Sequence, residues 1–520
     1  MIWLFRTIVR LLVRLRLGRY RFAVSHVDPG KPLRLPAPKR VAVAGAGLAG
    51  LTSAITLAER GYDVTLYEAN GYIGGKVGSW PVELEPGRPE WVSHGFHAFF
   101  RHYYNLNRLL DALGVRQRFA AIADYRILLP DSGEIAFDGR ETTPVLNLLS
   151  LASQGVYRMG EVLRAPTRDG LGVFLEYDPE VTPKRLDHLS LAEFDRRVKL
   201  PPRLKLAFNT FARAFFANED RLSMAVLVKG FHSYYLGHAG GLVYDHPSDD
   251  FEAAFLVAFR ARLEALGVKL RLSTPVQRLS HGDGHFEVDG ARFDDVVLAT
   301  DVGATRRIIE AGSGLGAVDP RLRTLEPGER YAVLRLWLDR APREGLPVFV
   351  ITERHHILDA ISFVDRAETE SRRWVEDRGG SVIELHCYAV PEHIPDGEVQ
   401  GLLEAELYRF LPELSGATVR HRHAQLRRDF AAFHVGRAGT RPGTDTGVAG
   451  LYCAGDWVNL PFPAMLMEAA VSSGLVAANR IFERDGLREA LVESIPLRGL
   501  LAGLPQSPGR KKLLGPARAA

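Results

Sequence analysis

VAVAGAGLAGLTSAITLAERGYDVTLYE, residues 41–68, reads as a buried strand, a glycine-rich turn, a helix and a second strand in one run. The first strand covers Lys39–Ala44 and the helix about Leu48 to Arg60, ended by Gly61. The second strand covers Asp63–Glu68. Gly45, Gly47 and Gly50 form a G-x-G-x-x-G turn at the mouth of that helix. Gly45 permits the tight turn, Gly47 lets backbone approach a pyrophosphate, and Gly50 lets helix and strand pack closely. The free N–H groups of the first helical turn, at Leu48 and Ala49, add the positive end of a helix dipole for phosphate. Glu68 closes the second strand and, with Ala69 after it, is a candidate cofactor contact. A carboxylate at that point accepts hydrogen bonds from ribose hydroxyls and repels a 2′-phosphate. The run predicts a dinucleotide site.

Two other segments choose the dinucleotide. Gly74-Gly75-Lys76 permits close backbone approach and offers a cation to phosphate. Near the other end, Ala454-Gly455-Asp456-Trp457 follows a strand, Leu451–Ala454, and residues 463–483 open a helix with Met467 in its first part. Asp456 can reach a ribityl or pyrophosphate group, and a helix N-terminus can stabilise negative charge on a reduced flavin ring. An NAD enzyme needs no such C-terminal element, so FAD is the expected cofactor. No second Rossmann turn for NADPH is seen, because the glycines at 312–316 follow a helix-like segment.

The expected fold is α/β. It has a Rossmann-like FAD domain of glutathione-reductase type, assembled from residues 39–110, 251–310 and 445–485, and an interleaved α+β substrate domain from 111–250 and 311–444. Length supports this, since 520 residues suit two domains. Within these, 102–250 reads as mostly helical, and Tyr331–Leu338 and Ser381–Val390 as strands of a second sheet. No run approaches 18 uncharged apolar residues, so no spanning helix is expected. Cys387 and Cys453 cannot build a disulfide framework, which fits a reducing compartment. His355, His356, His421 and His423 have no ligand cluster around them, so no metal is expected.

Net charge is +4, yet residues 1–22 hold six arginines and 497–520 add Arg498, Arg510, Lys511, Lys512 and Arg518, with no acid in either stretch. Removing those eleven charges leaves the body at −7. In residues 1–22, Arg6, Arg10 and Arg14 share a helical face and apolar residues fill most of the rest. This predicts an amphipathic helix in the headgroup plane of an anionic membrane, not a secretory signal. Pro29, Pro32, Pro36 and Pro38 make 23–38 a linker expected to isolate that helix. Residues 486–520 read as a basic tail. The expected location is cytoplasmic, peripherally on the membrane, with lipid and not nucleic acid as the macromolecular partner.

GAGLAGL, the strand ending in Glu68, GGK and AGDW with the MEAAVSSG helix resemble the FAD-dependent amine oxidase and carotenoid desaturase superfamily. The resemblance implies that Val276, in TPVQRL, caps the adenine through its backbone, and that Thr300, in VVLATD, ends a strand beside the cofactor. GGKVGSW and HGFHAFFRHYYNL (94–106) are similar to plant and cyanobacterial carotene desaturases. With FARAFFA (211–217), FHSYYLG (231–237), GLVYDHP (241–247) and AGDWVNLPFPAMLMEAAVSSG, the likeness is closer to bacterial aryl-carotenoid synthases. It implies ring desaturation of a β-carotene-type end group, migration of a methyl group through a carbocation, and quinone or oxygen as the final electron acceptor. Such chemistry needs an apolar tunnel with electron-rich faces. Phe96, Phe99, Phe100, Tyr104, Phe231, Tyr234 and Tyr235 are the candidate pocket residues, along with Tyr103. His97 is the candidate catalytic residue, placed by the resemblance beside the flavin to orient an acceptor or take a proton. Other readings stay open: a phytoene-type or hydroxysqualene-processing flavoenzyme, an amine oxidase, or a non-catalytic FAD-stabilised scaffold.

Overall fold

Five parallel strands lie side by side in the order Lys269–Arg271, Asp63–Tyr67, Arg40–Ala44, Asp295–Leu298, Leu451–Cys453. The computed structural model describes residues 2–514 apart from 123, 131–132, 139–140, 165–166, 240–242 and 506–507. Arg518 and the first two residues of the GLVYDHP stretch therefore lie outside the described residues. Apart from the exposed edge strand Lys269–Arg271, these strands are largely buried and read as near-continuous apolar runs. One face is covered by the helix Leu48–Glu59, itself buried through Leu57, which packs against the helix Leu466–Arg484. The parallel sheet thus gathers strands that are more than 400 residues apart in the chain.

A second sheet has seven strands, running Val419–Arg427, Arg330–Leu338, Ser381–Val390, Ala360–Phe363, Phe349–Thr352, Asp124–Leu128 and Glu134–Asp138. All neighbours are antiparallel except Phe349–Thr352 and Asp124–Leu128. The hairpin Ser79–Glu85/Arg88–Ser93 packs Trp80 and Val82 with this sheet, against Trp337 and Trp374. Residues 102–250 are less helical than their pattern suggests, because Phe119–Ile122, Asp124–Leu128 and Tyr244–Pro247 are all strands. Short helices between 146 and 231 join the core of the dinucleotide half.

The expectation that residues 23–38 isolate the leading helix is corrected. Phe22–Ala23 pairs with Glu493–Ser494, Leu35 N–H donates to Arg60 O, and Arg488 N–H donates to Pro32 O. Proline removes donors without making a segment free, and the donors that remain are met by the body. The helix Ile2–Leu17 is docked too, with Val9, Val13 and Leu17 packed on Leu175 and Leu500. Four other apolar residues of the helix are exposed: Ile8, Leu11, Leu12 and Leu15 at 47%, 56%, 56% and 71%. Among the described residues, no helix is long and apolar enough to cross a membrane.

Candidate active site

The two glycine turns interlock. Gly45 takes φ 101°, and its N–H donates to Tyr67 O. Gly47 forms a bridge with Gly74, whose N–H donates to Ala46 O. A Cβ at Gly75 would sit 2.9 Å from the Gly47 Cα, so only glycine allows this approach. The result is a concave backbone surface with the first turn of the helix Leu48–Glu59 opening onto it.

Glu68 ends its strand beside this surface. Its Oε2 accepts from Ala46 N–H at 2.8 Å, and its Oε1 accepts from the Asn70 N–H and side-chain amide at 2.9 and 2.8 Å. A carboxylate offers about four lone-pair directions. Three are used, which leaves capacity for a ribose hydroxyl. Asn70 was absent from the sequence reading. It carries no motif, and its role as the brace of Glu68 shows only in three dimensions.

From the other end of the chain, Gly455 N–H donates to Ser473 Oγ at 2.8 Å, and Trp457 Nε1 donates to Thr300 O at 3.0 Å. Lys76 and Asp456, 380 residues apart, form an ion pair at 2.7 Å, and the Lys76 ammonium lies 4.3 Å from the Phe430 ring centre. Gly45, Gly47, Leu48, Ala49, Glu68, Ala69, Gly74, Gly75, Lys76, Val276, Thr300, Gly455, Asp456 and Met467 all line one cavity of about 1060 Å³. Gly50 does not line it; it sits behind the turn, where a Cβ would meet the Gly45 carbonyl oxygen at 1.8 Å. Asp456→Ala removes a charged acceptor at this surface and strands Lys76. Charged hydrogen bonds contribute about 1.5–3 kcal/mol, so flavin affinity should fall roughly 10- to 100-fold. The flavin-to-protein absorbance ratio of the purified variant checks this, and full occupancy would refute it.

Past the glycine turns the same cavity becomes aromatic. Phe96, Phe100, Tyr103, Tyr234 and Tyr235 line it. Three candidates do not. Phe99 is sealed against Phe119 and Phe255, with ring centres 4.9 and 5.8 Å away. Tyr104 turns to the leading segment, donating its hydroxyl to Tyr20 O with Arg21 over its ring. Phe231 packs on Phe174, Phe208 and Tyr235 behind the wall. The wall is completed by Phe211, Phe215 and Phe216 of the FARAFFA stretch, and by Tyr125, Tyr244, Phe349 and Tyr388. Phe349 stacks on Phe96 with ring centres 4.3 Å apart. Phe349 and Tyr388 come from strands of the second sheet, where alternation alone marks them as core.

His97 also lines the cavity. Its Nδ1 is 2.8 Å from Gly95 O, so Nδ1 carries the proton and donates it, leaving Nε2 as an acceptor. Burial pulls its pKa down to about 4, so it is neutral at physiological pH. Among the described residues, no group of three or more His, Cys, Asp or Glu is placed to hold a metal ion.

A parallel five-stranded sheet, a strand-end carboxylate, two interlocked glycine turns and a C-terminal helix N-terminus on one cavity suit FAD. The cradle fits it, because a Cβ at Gly45, Gly74 or Gly75 would strike neighbouring backbone, so glycine is what lets the two turns close into one concave surface that lines the cavity. Residues 48–482 match the flavin-containing amine oxidoreductase family, and the chain belongs to that family as an FAD-dependent oxidoreductase. Within it, the chain is 37% identical to a carotenoid phi-ring synthase of Streptomyces griseus over 480 residues, covering 89% of this chain and 92% of that one. A carotenoid phi-ring synthase of Chlorobaculum tepidum is 26% identical, with 90% and 92% covered. Among solved structures, a putrescine oxidase bound to putrescine is similar in fold, with a TM-score of 0.63 at 17% identity, covering 86% of this chain and 99% of that one.

Proposed function

We propose that this enzyme desaturates the cyclic end group of a β-carotene-type carotenoid, with methyl migration to an aromatic ring, at the cytoplasmic face of a membrane. The observation that carries this reading is the continuity of one cavity, which runs from the glycine turns into a compartment walled by aromatic rings. Held by the glycine turns, Glu68, Lys76 and Asp456, FAD would supply a two-electron acceptor that quinone or oxygen could reoxidise. The remaining work falls to the protein. Its wall excludes water, orients an apolar ring, and presents π-faces toward positive charge developing on carbon. The names of the Streptomyces and Chlorobaculum relatives agree with this substrate class.

The test is expression in hosts that accumulate β-carotene, lycopene or squalene, followed by pigment extraction. The expected product is a carotenoid with an aromatic end group, formed from β-carotene. A flavin-loaded protein that leaves β-carotene unchanged, or acts only on lycopene or squalene, would overturn the reading.

Membrane docking rests on the leading helix. Val9, Val13 and Leu17 bind it to the body, where Arg10 pairs with Glu141, while Ile8, Leu11, Leu12 and Leu15 form an outward apolar arc with Arg14 on its flank. That arrangement suits insertion into the headgroup boundary of an anionic leaflet. Replacing Leu11, Leu12 and Leu15 together by serine leaves the docked face intact. At about 1 kcal/mol or more per leucine, affinity for anionic vesicles should fall by roughly 150-fold. Unchanged co-sedimentation would refute docking through this helix.

A further inference from the structure

A buried charge cluster lies beside the aromatic compartment, where a hydrocarbon site has no evident need of one. Arg335 is bracketed by two carboxylates, Glu368 at 2.9 Å and Glu384 at 3.0 Å. Buried ion pairs of this kind are weak contributors to stability, because desolvation offsets the attraction. Two carboxylates on one guanidinium also leave an excess negative charge. Burial pushes Glu368 up to about 7, as expected where that excess is poorly tolerated.

The excess charge faces His386, which lines the cavity. Its Nε2 is 3.1 Å from Ser362 Oγ and 3.4 Å from Glu384 Oε1. Glu384 can only accept, so Nε2 carries the ring proton and Nδ1 is a lone pair. Among the described residues, the hydrogen-bond contacts of this ring are made through Nε2, not Nδ1. Nδ1 borders Gly95, where a Cβ would come within 3.2 Å of it.

We propose that His386 is the proton acceptor of ring desaturation, with Glu384 as the positioning residue that fixes its tautomer and balances its charge. The inference rests on the function proposed above. Desaturation removes two hydrogens from adjacent ring carbons. One C–H bond breaks with both electrons leaving to the two-electron acceptor that FAD supplies. The other breaks with its electron pair becoming the new C=C π bond and its proton passing to His386 Nδ1. The imidazolium formed faces the Glu384 carboxylate, which offsets its charge. The His97 ring is hydrogen-bonded to the Gly95 carbonyl, whereas the Glu384 carboxylate lies within ion-pair distance of His386. A buried base that gains charge needs a counter-charge.

The groups facing His386 set the pH behaviour. Burial lowers its pKa, Glu384 and Asp359 raise it, and Arg335 lowers it; His97, on the facing loop, is neutral across the working range. A base works unprotonated, so flavin bleaching by carotenoid under anaerobic conditions should be flat at neutral and alkaline pH and fall in acid. Glu384→Gln removes a raising charge and should move that fall to lower pH. The same shift should appear without turnover, in the titration of ¹³C-labelled His386 in the flavin-loaded enzyme.

His386→Gln should slow anaerobic bleaching by roughly 100-fold or more, at unchanged flavin occupancy. His386→Gly should be partly rescued by added imidazole. If the wild-type enzyme bleaches with no carotenoid, the proposed function fails. If it bleaches and His386→Gln bleaches equally fast, this inference alone fails. Slow bleaching in His386→Gly that imidazole does not restore, with no pH shift in Glu384→Gln, also overturns it.

Discussion

Gly50→Val protein is expected to purify without flavin. A Cβ at Gly50 would lie 1.8 Å from the Gly45 carbonyl oxygen and 3.3 Å from the Ala299 side chain. The turn cannot yield, because a Cβ at Gly45 would itself be 2.6 Å from Ala299 O on the neighbouring strand. The helix Leu48–Glu59 cannot retreat either. On its far side the helix Leu466–Arg484 approaches so closely that a Cβ at Gly474 would be 2.4 Å from Ala49 O, and Ser53 Oγ donates to Gly474 O across the gap. The helix is clamped between sheet and helix, so any added side chain at 50 displaces the N–H groups proposed to receive the pyrophosphate. The flavin-to-protein absorbance ratio should fall at least about tenfold, which corresponds to about 1.4 kcal/mol or more of lost affinity. A yellow, fully occupied Gly50→Val protein would mean that the turn does not hold the phosphates.

The second large effect is on stability. Glu468→Ala should destabilise the fold by about 3–5 kcal/mol, as expected for breaking a buried polar network. Glu468, in the first turn of the helix Leu466–Arg484, accepts from Asn105 N–H, the Asn105 amide and Leu106 N–H at 2.9, 2.8 and 3.1 Å. Those donors open the helix Tyr104–Ala112, which follows the aromatic block. One carboxyl therefore fastens the flavin end of the molecule to the substrate compartment, and removing it orphans buried donors. The pH dependence has a definite sign. Burial raises Glu468 from 4.5 to about 8 in the folded chain, so the fold binds its proton more tightly than the unfolded chain does. Its contribution is full below about pH 4.5 and declines as pH rises through 8. The gap between wild type and Glu468→Ala in denaturant unfolding should narrow from pH 5 to pH 9. A gap that widens would refute the buried protonated form.

The aromatic wall shows where pattern reading stops. Phe99 and Phe100 are consecutive in a short strand, so they point to opposite faces and only one can reach the cavity. The motif HAFF does not say which. Phe231, Tyr234 and Tyr235 meet a similar ambiguity, because a π-helical turn at His232–Leu236 inserts a residue and rotates the helical face away from a 3.6 period. The proline-rich run 28–38 reads as a free linker because its composition lacks secondary structure, yet its backbone is held by Arg60 and Arg488.

The amino-acid sequence alone determined the cofactor class. Glycine spacing, a strand-ending acid and a second small-residue turn are local demands of phosphate and ribose chemistry, and each is written within a few consecutive residues. Only the tertiary structure decided which side chains meet around the cavity. Glu68 braced by Asn70, Lys76 paired with Asp456, and His386 backed by Glu384 and Arg335 are contacts between groups with no common motif, and two of the three join separate chain segments. Packing distance chooses those partners, and that distance has no period in the chain.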